Sequence, residues 1–281
     1  MVFPPDVRFD VNLSILFTEL PLLERPAAAR AAGFDAVEFW WPFDTAVPDD
    51  RQVDAFVRAV RDAGVRLVGL NFFAGDMPGG DRGLVSWPGR AEEFRDNIDV
   101  VVAVGDQLGC RAFNALYGNR IAGVAPEEQD ALAAENLALA ARAVERIGGV
   151  VLVEPVSGAP RYPLLTADDA VAVIERVERE STVDNHLRLL LDLYHLAANG
   201  DDAVRAITAH ADRVGHVQIA DAPGRHEPGT GELDLAGQLA LLTAHGYPGH
   251  VGLEYRPSGA SADSFTWLPH DRRASSRAHS I

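Results

Sequence analysis

Positive charge is scarce in this chain. Its 281 residues carry 25 Lys and Arg against 41 Asp and Glu, a formal net charge of −16 at pH 7, and the isoelectric point is near 4.9. Nucleic acid and anionic membrane surfaces both require a basic footprint, so without clustered Lys and Arg the composition argues against either as a partner. Cysteine is nearly missing: Cys110 stands alone, and no intrachain disulfide can form. No uninterrupted apolar run is long enough to span a bilayer, and the N-terminus has no signal-like apolar segment, so a cytoplasmic chain is expected. No Gly-x-Gly-x-x-Gly turn follows the first expected strand, which counts against an open dinucleotide-binding sheet.

Hydrophobic residues make up 47% of the chain, enough for a large core and for one closed barrel rather than two small domains. Strand and helix patterns alternate eight times. Strands are expected at Phe9 to Ser14, Ala36 to Phe39, Arg66 to Asn71, Arg111 to Ala115, a run ending in Glu154, a run ending in Asp192, Val214 to Ile219 and His250 to Tyr255. Helices are expected over Pro26 to Ala32, Asp49 to Ala63, Arg90 to Leu108, Pro126 to Ile147, a Thr166-capped stretch reaching about Glu178, a stretch opened by Asp201, and Leu235 to His245. Such alternation implies a parallel sheet with right-handed crossovers, and eight units close into a single (β/α)₈ barrel. This domain is expected to cover residues 1–268, with a polar tail over 269–281 that frays. The longest loop, AGDMPGGDRGLVSWPGR, is rich in Gly and Pro; long structureless loops in compact domains are usually functional.

LRLLLDLYH, from Leu187 to His195, organises the reading of function. Its leucines suit a strand buried on both faces, and Asp192 is the first polar group at the strand's end. VVLVEP repeats the construction with Glu154, HVGLEYRP with Glu254, and VGHVQIAD with Gln218. In a closed parallel barrel the carboxyl ends of all strands meet on one face, where these four side chains could hold one ion. Three carboxylates and an amide suit Mg²⁺, or alternatively Mn²⁺, and give Zn²⁺ none of its preferred ligands. Taken singly, each carboxylate could instead cap a helix or anchor a loop. His195 either reaches substrate from a loop or caps the next helix. Arg225 and His226, just beyond strand seven, lie where barrels hold anionic groups, and Arg225 is a candidate anchor for a carboxylate, the alternative being a loop salt bridge. Arg256 is a second candidate for that role, and Glu38 ends strand two behind the proposed ligands. Trp40, Trp41, Phe43, Phe72, Phe73 and Trp87 fall in loops on the same face; they could wall a pocket or form an interface between copies in a homo-oligomer.

The run NLSILFTELPLLERPAAARAAGFDAVEFWWPFD, the loop GDMPGGDRGLVSWPGR, and LVEPVS, LDLYH, HVQIAD, GRHEPGTGELD and GLEYRP together resemble the hydroxypyruvate isomerase family, within the xylose-isomerase-like TIM barrels. The resemblance runs from about Phe9 to Pro257. It implies a metal at Glu154, Asp192, Gln218 and Glu254, with Glu154 and Glu254 flanking the substrate as an acid/base pair. The implied reaction interconverts hydroxypyruvate and tartronate semialdehyde through an enediolate; a sister group isomerises 2-oxo-tetronate. The expected partner is thus a small anionic hydroxy- or oxo-acid. Related epimerases tend to have His where Gln218 stands, and the closest group tends to have Lys where Arg256 stands. Two other classes compete: a metal-dependent endonuclease, which would carry more His ligands and a basic groove, and a barrel that binds a sugar acid without turnover, which would not need both glutamates.

Overall fold

The computed structural model describes residues 2–181, 183 and 185–274. Eight parallel strands pair in chain order and β8 pairs back with β1, closing the barrel: β1 Arg8–Asn12, β2 Ala36–Phe39, β3 Arg66–Asn71, β4 Ala112–Asn114, β5 Val150–Val153, β6 Leu187–Asp192, β7 Val214–Ile219 and β8 His250–Leu253. The helices lie between them in sequence: α1 Arg25–Ala31, α2 Asp50–Ala63, α3 Ala91–Leu108, α4 Pro126–Glu145, α5 Ala167–Glu180, α6 Leu193–Asn199, α7 Ala203–His210 and α8 Leu235–Ala244. The sequence reading of a single (β/α)₈ barrel holds.

Helix ends follow local chemistry. Asp49 accepts from the N–H of Gln52 while the Gln52 side chain accepts from the N–H of Asp49, and Thr166 and Asp169 form the same reciprocal box at α5. The chief departure from expectation is α6. β6 passes directly into this seven-residue helix, capped by Asp192 at one end and by Gly200 in the left-handed region at the other. The helix expected to be opened by Asp201 starts at Ala203, capped by Asp202. Between Asn71 and α3 the only regular structure is the 3₁₀ turn Pro88–Arg90, so the long loop is a loop as expected.

Phe72 and Phe73, expected at a pocket wall, are instead buried in the hydrophobic core, where the Phe72 ring packs on those of Phe94 and Phe113. They directly follow β3, and burial on the helix side of the barrel outweighs their loop position. Trp41, Phe43 and Trp87 are partly buried against the same core. Of the expected tail, residues 269–274 carry the 3₁₀ turn His270–Arg272, and the guanidinium of Arg273 donates to the carbonyls of Ala32, Leu268 and Phe265; residues 275–281 lie outside the described residues. Among the described residues no helix is long and apolar enough to cross a membrane.

Candidate active site

Polar side chains finish the last four strands. Glu154 directly follows β5, Asp192 ends β6, Gln218 is the penultimate residue of β7 and Glu254 directly follows β8. All four are buried. One carboxylate oxygen each from Glu154, Asp192 and Glu254 and one ring nitrogen of His195 lie within 4.8 Å of one another. Gln218 is the register partner of Asp192 across β6 and β7, which sets its amide beside that carboxylate.

Asp192 divides its two oxygens between two tasks. Oδ1 accepts the N–H groups of Tyr194 at 2.8 Å and His195 at 3.2 Å, capping α6. Oδ2 is buried without a hydrogen-bond partner, 3.5 Å from His195 Nε2 and 3.8 Å from Arg225 Nη2. Gln218 donates Nε2 to Glu38 at 2.7 Å, and its Oε1 is also buried and unpartnered. Orphaned buried oxygens cost about 1–3 kcal/mol each unless something binds them. Together with the carboxylates of Glu154 and Glu254, these two oxygens make an all-oxygen donor set that suits a hard divalent cation.

The two glutamates are held differently. Glu254 Oε1 accepts from Trp40 Nε1 at 2.6 Å and Asn12 Nδ2 at 3.0 Å, and its Oε2 accepts from Arg225 Nη2 at 2.5 Å. Glu154 Oε2 accepts from Asn114 Nδ2 at 2.7 Å, while Oε1 lies 3.8 Å from His195 Nε2. Burial raises both above the usual carboxylate range. Glu254 reaches about 8, with the Arg225 charge pulling down and Asp192 and Glu38 pushing up. Glu154 is raised well above its ordinary value by burial and by the charges of Glu254 and Asp192.

His195 sits in the first turn of α6 rather than in the expected loop, and it is Asp192, not His195, that caps this helix. The backbone N–H of Ser157 donates to its Nδ1 at 3.0 Å, which makes Nδ1 an acceptor and leaves the proton on Nε2, facing Asp192 and Glu154. Burial lowers its pKa to about 4, so the ring is neutral at pH 7. Arg225 has φ 59°, in the left-handed region that non-glycine residues seldom adopt, and its guanidinium lies 5.2 Å from the centre of the Tyr194 ring. Its charge is directed at Glu254 and Asp192, so it is a half-buried partner of the acidic cluster as the structure stands, where the sequence suggested an anchor for substrate. His226 hydrogen-bonds the Arg256 carbonyl at 2.7 Å, is bridged to Asp221 and does not line the cleft, although its neighbours Gly224 and Arg225 do. Arg256 does line it. A cleft of about 460 Å³ opens above the cluster, walled by Trp40, Met77, Pro78, Leu116, Val156 and Tyr194. Of the six flagged aromatics, Trp40 alone lines it.

Below this mouth lies a second buried group, which the sequence reading missed apart from Glu38. Ligand atoms of Asp10, Glu38 and His216 lie within 4.8 Å of one another. Asp10 and Asn12 share one face of β1, and His216 and Gln218 share one face of β7, as the two-residue strand period requires. Glu38 is their hub, accepting from His216 Nε2 at 2.6 Å, Gln218 Nε2 at 2.7 Å and Asn12 Nδ2 at 3.0 Å. Gly69 and Gly252 make room for it: a Cβ on Gly252 would lie 2.7 Å from Glu38 Oε1. The available signal was polar residues at alternating positions in apolar strands, RFDVN and VGHVQI.

Residues 26–270 match the family model described as the xylose isomerase-like TIM barrel. A protein of Streptomyces coelicolor named "Putative hydroxypyruvate isomerase" is 58% identical over 274 residues, covering 96% of this chain and 98% of the relative. The hydroxypyruvate isomerase of Escherichia coli is 33% identical, covering 93% and 98%. A solved structure from Brucella melitensis, titled as an AP endonuclease of family 2, superposes with a TM-score of 0.83 at 35% identity, covering 93% of this chain and 97% of that one.

Proposed function

This chain belongs to the xylose isomerase-like TIM-barrel family, and from that membership we propose that it interconverts hydroxypyruvate and tartronate semialdehyde through an enediolate. The observation that carries the reading is the meeting of Glu154 and Glu254, both with raised pKa, beside a neutral His195 at the floor of a small cleft. A proton must leave one carbon and return to its neighbour, and Glu154 and Glu254 are the groups that exchange it. Burial and neighbouring carboxylates favour their protonated forms, and a bound dication would favour the ionised ones. A divalent cation, Mg²⁺ or Mn²⁺, held by Glu154, Asp192, Gln218 and Glu254 would supply polarisation of the carbonyl and hydroxyl oxygens when bound.

The remaining groups orient and shield. His195 presents Nε2–H to a substrate oxygen as a donor, a role its neutral state favours. Arg225, Trp40 and Asn12 fix both oxygens of Glu254, and Asn114 fixes one of Glu154. Arg256 stands at the rim of the cleft, and Met77, Pro78, Leu116 and Val156 exclude water from above. The test is proton exchange in deuterated water, followed by NMR, with hydroxypyruvate and with 2-oxo-tetronate, before and after chelation. Exchange of hydroxypyruvate that chelation abolishes supports the reading; preference for the four-carbon acid moves the substrate to the sister activity, and no exchange with either acid overturns the isomerase proposal.

A further inference from the structure

We infer that Arg82, in the long loop between β3 and α3, is the residue that recognises the carboxylate of the substrate. The inference rests on the acid isomerase reading above and names the group that makes it selective for acids. The floor of the cleft carries Glu154, Asp192 and Glu254, so an incoming anion meets three carboxylates and needs a cation whose charge is not already spent. Three guanidiniums line the cleft. Arg225 is committed to Glu254 and Asp192. Arg256 is exposed at the rim, and its side chain makes no hydrogen bond or ion pair among the described residues, so nothing holds it in one place.

Arg82 differs from both. Its Nη1 donates to the carbonyls of Met77 at 3.0 Å and Asp81 at 2.6 Å, which position the guanidinium without neutralising it. No carboxylate among the described residues lies within ion-pair range of it, and it lines the same cleft as Glu154, His195 and Glu254. The loop around it is fastened for this. Asp81 accepts from the N–H of Asp76 at 2.8 Å and pairs with Arg90 at 2.8 Å, and Asn119 holds the Gly80 carbonyl at 2.9 Å. Gly83, next to Arg82, has φ 105° and packs so closely on Leu116 that a Cβ would fall 1.8 Å from its carbonyl oxygen. This stretch of the loop is thus locked against the segment after β4, with a positioned Arg82 lining the cleft. A planar fork held this way suits a carboxylate, which it can engage through two parallel hydrogen bonds.

The experiment compares wild type, Arg82→Met, Arg82→Lys and Arg256→Met in the full chain with the divalent cation supplied. Isomerisation of hydroxypyruvate is followed together with calorimetric binding of pyruvate, an oxo-acid that lacks the hydroxyl needed for turnover. Arg82→Met should raise KM and weaken pyruvate binding by about 10- to 150-fold, the range of a charge-assisted hydrogen bond, while kcat changes by less than about threefold. Arg82→Lys should recover part of the binding, and Arg256→Met should cost less than about threefold. Unchanged pyruvate binding in Arg82→Met, a loss confined to kcat, or a larger binding loss in Arg256→Met would each overturn the assignment. Wild type that binds pyruvate through Arg82 yet fails to isomerise hydroxypyruvate would sink the reaction and leave the anion recognition standing.

Discussion

Two buried clusters of carboxylates gather around a histidine in this barrel, one at the mouth and one inside, and their histidines are driven in opposite directions. At the mouth, burial lowers His195 to about 4. Inside, burial also opposes the charge of His216, yet Glu38, by charge and hydrogen bond, with help from Asp10 and Glu254, raises it to about 9. The interior group therefore pairs within itself: His216 hydrogen-bonds Glu38, and Asp10, with both oxygens unpartnered, is raised well above its usual range by burial and by Glu38. The mouth has three carboxylates and one guanidinium, two unpartnered oxygens on Asp192 and Gln218, and a cleft above. Similar ingredients give support in one place and a candidate reaction centre in the other, and what separates them is whether neighbouring groups complete the charge.

The comparison breaks most visibly at the glutamates. Glu154→Gln and Glu254→Gln should each lower turnover about 10³-fold in the exchange assay while the far-ultraviolet spectrum stays that of the folded barrel, since proton transfer by a placed side chain is worth about 10² to 10⁴. At the interior the order reverses. His216→Gln removes one partner of a buried ion pair and should cost about 3–5 kcal/mol in urea unfolding, a larger loss of stability than either glutamate substitution. Asp192 sharpens the contrast because it belongs to both kinds: Asp192→Asn keeps a side-chain oxygen that caps α6, so it should abolish calorimetric binding of Mn²⁺ yet cost little stability, whereas Asp192→Ala should lose the metal and a further ~1 kcal/mol.

The smallest effect is in pH. His216, raised to about 9, contributes stability that is complete below its ordinary 6.5 and is lost as pH rises through 9. Glu254, raised to about 8, acts in the same direction, because its protonated folded form is lost as pH climbs through 8. Melting temperature should therefore fall between pH 4.5 and 9, through Glu254 from 4.5 to about 8 and through His216 from 6.5 to about 9. His216→Gln should remove one part of that slope and Mn²⁺ the other; a slope that neither changes would refute both assignments.

The barrel and the acidic cluster at its mouth were legible because they write themselves into the chain as apolar runs ending in Glu154, Asp192, Gln218 and Glu254. Hidden features had physical reasons to be hidden. α6 escaped because LYHLAAN continues the apolar run of β6, so periodicity shows no seam. Asn12, Asn114 and Trp40 become important only through contacts 40 to 242 residues away in sequence. Arg225 reads from the sequence as an anion anchor and Arg82 is not singled out there; what tells them apart is that one meets carboxylates and the other carbonyls.

Because a single carboxylate starts α6 with one oxygen and faces the acidic cluster with the other, the chemistry at this mouth inherits the rigidity of a helix terminus. A mutational survey scored by melting alone would file Asp192 with the capping residues, and one scored by ion uptake alone would file it with the ligands. Any remodelling of the segment after β6 must keep the helix start in register, which leaves evolution free to vary the far end of α6 but not its beginning.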